Sequence, residues 1–239
     1  MDCNYWLNRE HTIQSHQGVD VLRDDKLEGG SKSRFLPFLI HSADEVVFGG
    51  PFCGGAPYAL SVLGKHTNKK ITLFYAKRKV HHIRQIKALQ NGAKIIEVPF
   101  GYMANVQKKA RTYAQDNGAL FLPLGFDVPE AEEPFIQFMK KLKTKYYDQI
   151  WCCSGSGMLT RCLSKAFPDS EIHSVIVGLK SRNTKQNFGD NVVEYEHYLP
   201  FEKETKSSAP FNSDGNYDRK AWEFCVKRKK GNVLFWNVL

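Results

Sequence analysis

No run of this 239-residue chain reaches the roughly 20 consecutive apolar residues of a membrane-spanning helix, so no membrane partner is expected. The first residues, Met1-Asp2-Cys3-Asn4-Tyr5-Trp6, lack the basic-then-apolar layout of a secretory signal, and the expected location is the cytoplasm. Cysteine is sparse and follows no metal-ligand spacing. Cys152 and Cys153 are adjacent in a strand-like run and should face opposite sides, while Cys3, Cys53, Cys162 and Cys225 stand alone. All six are expected as reduced thiols, with no metal. Adjacent His81 and His82 cannot share a helix face and read as surface residues ahead of a helix from Ile83 to Leu89. There is no internal repeat and no low-complexity tract. The length suffices for a sizeable core, or for two small lobes.

What is abundant is positive charge. Thirty-four Lys and Arg stand against 25 Asp and Glu, a formal net charge of +9. The basic residues bunch at Lys65 to Lys79, Lys140 to Lys145, Lys180 to Lys185 and Lys227 to Lys230, and such a surface attracts polyanions. Strand and helix patterns alternate almost throughout. Strands are predicted at Glu45 to Phe48, Ile71 to Tyr75, Lys94 to Val98, Ala119 to Leu122, Gln149 to Cys153, Ile172 to Val177, Val192 to Tyr195 and Asn232 to Trp236. Helices are predicted at Ala56 to Gly64, Ile83 to Asn91, Ala104 to Asn117, Pro134 to Lys145, Met158 to Phe167 and Asp218 to Lys227. This is an α/β plan with largely parallel sheets. The polar stretches Lys180 to Asp190 and Pro200 to Asn216 read as long loops, either of which suits a lid or a substrate rim.

Two segments carry chemistry. In Gly29-Gly30-Ser31-Lys32 the glycines can take positive φ and leave room for a flat ligand, and Ser31 reads as the N-cap of the apolar run Phe35 to Ile40. Lys32 would sit in the first turn, where the positive end of the helix dipole and partial burial both favour the neutral, nucleophilic amine over ammonium. Such a lysine forms Schiff bases. Taken alone, the segment reads better as a surface lysine in a turn, the commoner fate of a single lysine.

The second segment runs from an apolar strand, Ile150-Trp151-Cys152-Cys153, through Ser154-Gly155-Ser156-Gly157 into the helix that starts at Met158. Free amides at that helix start, with the Ser hydroxyls and Thr160, would cradle a phosphate. It is not a P-loop, because no lysine follows the glycines. It is not the dinucleotide fingerprint either, because Thr160 stands where a third small residue is needed. A single phosphate monoester suits it, and so does an ordinary strand-to-helix turn.

A lysine behind Gly-Gly and a later Gly/Ser cup are the two ends of a pyridoxal phosphate site. Arg23 to Arg34 resembles the lysine segment of the fold type II, tryptophan-synthase-β-like pyridoxal phosphate enzymes, in the branch of aminocyclopropanecarboxylate deaminase and D-cysteine desulfhydrase. Val47 to Ala56, Asn91 to Val98, Leu122 to Phe126 and Gly231 to Asn237 resemble further family segments in the same order. The resemblance implies a shortened two-lobed open parallel-sheet fold. Residues 1–43 and 126–239 would form a larger cofactor-binding lobe and residues 44–125 a smaller inserted one, with the cofactor between them. It implies Lys32 as the catalytic residue and Ser154, Gly155, Ser156, Gly157, Met158 and Thr160 as cofactor ligands. Gly50, Phe52, Cys53 and Gly54 would form the substrate loop. The branch carries Ser-Asn-His where this chain has Cys53-Gly54-Gly55, so the asparagine that bonds the cofactor's phenolic oxygen is missing. The chain also ends at Val238-Leu239, which leaves Asn237 or Trp236 for the pyridine nitrogen. Contacts at these two ring positions tune the chemistry.

Three readings remain open. The first is a lyase or deaminase-like enzyme acting at the α-carbon of a free amino acid by deamination, elimination or desulfhydration. The second is the same chemistry, such as decarboxylation, on an amino-acid adduct of a hypermodified thymine in bacteriophage DNA, with the basic clusters gripping phosphates. The third is a non-catalytic scaffold or binding protein, against which Lys32 and the Gly155/Gly157 loop argue. A homodimer is among the expected states.

Overall fold

The computed structural model describes residues 2–99, 102–126, 128–142, 145–177 and 188–239. The expected loop from Lys180, with Arg182 and Lys185, lies almost wholly outside the described residues. The chain forms two compact units, Met1–Leu7 with Glu28–Ala131, and Asn8–Leu27 with Glu132–Leu239.

The first unit is built on a four-stranded, all-parallel sheet of β3 (Glu45–Gly49), β4 (Lys70–Ala76), β5 (Lys94–Val98) and β6 (Leu120–Leu122), in the order β5-β4-β3-β6. Helix α5 (Met103–Asp116) lays Val106, Ala110 and Ala114 against Val47, Phe74 and Val98, at i, i+4 and i+8 of one helical face. The approach is close: a Cβ at Gly49 would lie 3.2 Å from that of Ala110. Helices α1 (Cys3–Leu7), α2 (Lys32–Ile40), α3 (Gly55–Thr67) and α4 (Ile83–Gln90) complete the unit. Because α2 packs on α1 and α3, Lys32 belongs with this smaller sheet, and the boundaries fall at 7/8, 27/28 and 131/132 instead of the expected 43/44 and 125/126. His82 is more than a surface residue. It caps α4, its Nδ1 accepting from Arg84 N while its own amide donates to Gln85 Oε1.

The second unit carries a six-stranded sheet, ordered β1 (Ile13–His16), β2 (Val19–Arg23), β10 (Val233–Asn237), β7 (Gln149–Ser154), β8 (Glu171–Ile176), β9 (Val192–Glu196). Among the described residues only the β1–β2 pair is antiparallel. That hairpin, absent from the expectations, turns at Gln17 and Gly18, both at positive φ as a tight two-residue turn requires. Every residue of β7 is buried, which is why its sequence is a continuous apolar run without alternation. Cys152 and Cys153 do face opposite sides. The Cys152 thiol lies 3.5 Å from Thr160 Oγ1 on α7 (Met158–Ala166), and that of Cys153 donates to Tyr217 O just before α8 (Asp218–Arg228). On the α8 side, Ala221, Trp222 and Cys225 pack on Trp151, Val175 and Phe235. None of the six cysteines is in a disulfide, and burial pushes the Cys152 thiol up to about 12, so it stays protonated. Helix α6 (Pro129–Lys141) carries the chain from one unit into the other.

Both sheets have a point where the strand order reverses. In the four-stranded sheet it lies between β3 and β6, and in the six-stranded one between β7 and β10. Ligands of open α/β sheets bind outside the carboxyl ends of the strands at such points.

Candidate cofactor site

Gly29 and Gly30 have φ of 86° and 64°, in the left-handed region foreseen for them. At Gly29 space also matters, since a Cβ would lie 3.0 Å from Ser33 Cβ and 3.3 Å from Ala59 Cα of α3. Helix α2 begins at Lys32 itself, which is half-buried between buried Ser31 and Ser33. Ser31 is not a capping residue. Its backbone is already helical (φ −54°, ψ −32°), which turns the hydroxyl away from the amides a cap would serve. Ser33 does the local work instead, its Oγ donating to Gly30 O at 2.6 Å. Ala59 lies one helical turn, roughly 6 Å of rise, beyond the start of α3 at Gly55. The Lys32 turn and the loop from Gly50 to Gly54 are therefore neighbours within one unit.

That loop follows β3 at the switch point. Gly50 is required by packing, because a Cβ there would lie 2.3 Å from the ring of Phe48. Gly54 N donates to Pro51 O at 3.0 Å, Gly50 N to Phe74 O at 3.1 Å, and the buried Cys53 offers its carbonyl to Arg84 Nη1. The Phe52 ring is held between Arg78, whose guanidinium carbon lies 3.4 Å from the ring centroid, and the edge of His82 at 5.7 Å.

At the other switch point, β7 ends in Ser154 and the chain turns through Gly155, Ser156 and Gly157 into α7. Gly157, the residue before the helix, has φ 86° and ψ −8°. The first intrahelical bond runs from Arg161 N to Gly157 O, so the amides of Met158, Leu159 and Thr160 have no acceptor within the helix. The Ser154 hydroxyl is buried and has no hydrogen-bond partner among the described residues. On the adjacent strand, Asn237 donates through Nδ2 to Asn212 O at 2.9 Å, while its buried Oδ1 is likewise unpartnered. Trp236, the alternative to Asn237, is buried with its ring edge-on to Phe135.

Two expected ligands are placed differently from the others. Thr160 is fully buried, and its hydroxyl bonds Ser174 Oγ at 2.9 Å and the Cys152 thiol, so it joins α7 to the sheet and does not face the loop. Met158 buries its side chain and offers the loop only its amide. Tyr217, which sequence reasoning missed, accepts from Gly155 N at 3.1 Å and donates to Cys153 O at 3.1 Å. Burial holds its phenol pKa well above the ordinary value, so it remains a neutral donor. No local pattern could have revealed this clip, whose partners lie 62 and 64 residues away.

Comparison with solved structures bears on the fold. A structure of an aminocyclopropanecarboxylate (ACC) deaminase homologue superposes with a TM-score of 0.81 at 17% identity, covering 98% of this chain and 90% of that one. The fold is that of the fold type II pyridoxal phosphate enzymes. An O-ureido-L-serine synthase, solved as a mutant with O-ureido-L-serine bound, gives a TM-score of 0.71 at 13% identity over 99% of this chain and 89% of that one. A hydrogen sulfide-producing enzyme from Fusobacterium nucleatum gives 0.67 at 13% identity, over 99% and 96%. No family model matches the sequence, and no curated protein does.

Proposed function

We propose that the chain binds pyridoxal 5'-phosphate through Lys32 and acts at the α-carbon of a free amino acid, by deamination, elimination or desulfhydration. The observation that carries this is a pair of buried groups with no hydrogen-bond partner among the described residues, Ser154 Oγ and Asn237 Oδ1, at the carboxyl ends of the neighbouring strands β7 and β10. A buried polar atom without a partner costs about 1–3 kcal/mol, so a ligand that answers either group would be favoured at this edge. The donor set suits this cofactor. Ser154 Oγ and the amides of Met158 and Leu159 would hold a phosphate, and the Asn237 amide oxygen would accept from a protonated ring nitrogen.

Bound there, the cofactor supplies an electron-withdrawing ring that takes up the electron pair released at the substrate α-carbon. Lys32 would hold the cofactor's aldehyde carbon and, as a free amine, would move the proton at the substrate α-carbon. Asn237 is a neutral partner, weaker than a carboxylate in stabilising a charged ring nitrogen.

Support for a free amino acid over a DNA-linked one comes from the basic clusters, several members of which are engaged within their own units. Lys69 donates to the carbonyls of His41 and Ala43, and Lys70 pairs with Glu45 at 2.7 Å. Lys145 pairs with Asp20, Lys229 donates to Gln17 O, and Arg228 stacks on Tyr195 and Phe224. The purified protein should absorb in the visible after incubation with pyridoxal phosphate. Borohydride should then fix the cofactor to Lys32, as peptide mass mapping would locate. A colourless protein, or a label on another lysine, overturns the proposal.

A further inference from the structure

One stretch of positive charge stands apart from the others. Lys77, Arg78 and Lys79 are consecutive and exposed, and among the described residues no carboxylate pairs with them, Glu97 being engaged by His81 at 3.3 Å. Three adjoining exposed cations set up a local positive potential that attracts anions. The stretch follows β4 and lies at the same sheet edge as the Gly50–Gly54 loop that follows neighbouring β3. Arg78 reaches across to seat its guanidinium on Phe52, the most prominent side chain of that loop. Stacking fixes the guanidinium plane and leaves the N–H groups at its edge directed outward, the geometry in which arginine takes an oxyanion in a bidentate grip.

We propose that Arg78, positioned by Phe52 and flanked by Lys77 and Lys79, forms a subsite for a second anionic group on the amino-acid substrate, a phosphate or a side-chain carboxylate. This rests on the proposed function only in taking the β3 edge as the substrate side. The α-carboxylate and amine belong to the Lys32 side, and the distal anion meets Arg78. The subsite separates acidic amino acids from neutral ones of the same backbone, and Phe52 is a positioning residue acting through Arg78.

Equilibrium dialysis with O-phospho-L-serine, L-aspartate, L-serine and a DNA duplex tests it on the cofactor-treated protein, with Arg78→Ala, Arg78→Lys and Phe52→Leu alongside. The anionic amino acids should bind about tenfold tighter than serine, in line with a charge-assisted contact. Arg78→Ala should abolish that preference while leaving serine binding unchanged, Arg78→Lys should retain part of it, and Phe52→Leu should weaken it. Whichever of phosphoserine and aspartate shows the larger loss identifies the group. Arg78 is exposed, so these variants should keep the wild-type circular dichroism. Equal binding of serine and phosphoserine, equal losses for both in Arg78→Ala, no binding of any amino acid, or Arg78-dependent binding of the duplex alone each overturns the subsite. Failure of the cofactor reading is seen separately, as missing visible absorbance and no borohydride label on Lys32.

Discussion

Two turns in this molecule share a plan and differ in what they leave undone. Each follows a buried parallel strand at a switch point, runs through glycines and opens a helix, Gly50 to Gly55 after β3 and Ser154 to Gly157 after β7. In the first, the backbone answers itself. Gly49 O, Gly50 N, Cys53 O and Gly54 N are taken by Gln107, Phe74, Arg84 and Pro51. Its glycines serve packing, as the Phe48 ring against Gly50 shows. In the second, Tyr217 answers Gly155 and Cys153, but the Ser154 hydroxyl and the first amides of α7 have no partner within the turn. Glycine content is thus a poor marker of a phosphate site. Unanswered polar groups beside a left-handed glycine are a better one.

The comparison breaks first at Tyr217, whose hydroxyl bonds the second turn from outside it. Tyr217→Phe takes a partner from a backbone N–H and a C=O, a cost of about 2–6 kcal/mol at roughly 1–3 per group. Urea unfolding of the variant should show that loss. A change below about 0.5 kcal/mol would mean that the loop holds its shape unaided.

Gly157 and Gly155 separate conformation from space. Gly157 sits at φ 86°, so Gly157→Ala should cost about 1–2 kcal/mol, read as weaker cofactor retention and lower stability. At Gly155 an added Cβ meets only the Tyr217 ring, at 3.6 and 3.7 Å, in ordinary contact. Gly155→Ala should therefore be nearly silent. Equal losses in the two variants would remove the distinction drawn between the turns.

Much of this was legible in the sequence and some was not, for physical reasons. The predicted strands and helices recur with shifted ends, because a fully buried parallel strand such as β7 is a bare apolar run and α7 is amphipathic. The β1–β2 hairpin was missed because β1 is short and half-exposed and its turn uses Gln17, where Asn is the familiar signal. The positive φ of Gly29 and Gly30 and the place of Lys32 in the first turn of α2 could be read because their signals are local. Thr160 misled because a hydroxyl one helical turn from a glycine loop looks like a ligand, whereas its face of α7 turns toward Ser174. Tyr217 and the Arg78–Phe52 stack arise from tertiary contacts that no local pattern encodes.

Ser154→Ala sharpens the comparison by separating binding from folding. Removing a buried hydroxyl that lacks a partner should leave the cofactor-free protein as stable as before, or slightly more so, since no hydrogen bond is lost. Cofactor affinity should nevertheless fall roughly fivefold, about 1 kcal/mol. Titration by absorbance, set beside thermal unfolding without cofactor, reads both. A destabilised apo-protein with unchanged affinity would make Ser154 structural.

The smallest effect concerns how α7 is held from its outer side. Glu132 accepts from Arg161 Nε at 2.7 Å and from Lys165 Nζ at 2.8 Å. Burial pushes its pKa up, but the hydrogen bonds from Lys165 and Arg161 outweigh burial and leave it below the ordinary 4.5. A carboxyl depressed on folding contributes stability above its unfolded pKa, and that contribution disappears as pH falls through the folded value. Lys165 is largely exposed and screened, so the contribution is under about 1 kcal/mol. Glu132→Gln should therefore unfold slightly earlier than wild type at pH 7, and the two proteins should converge at pH 3. A gap that persists at pH 3 would trace the loss to packing and leave α7 without an electrostatic anchor.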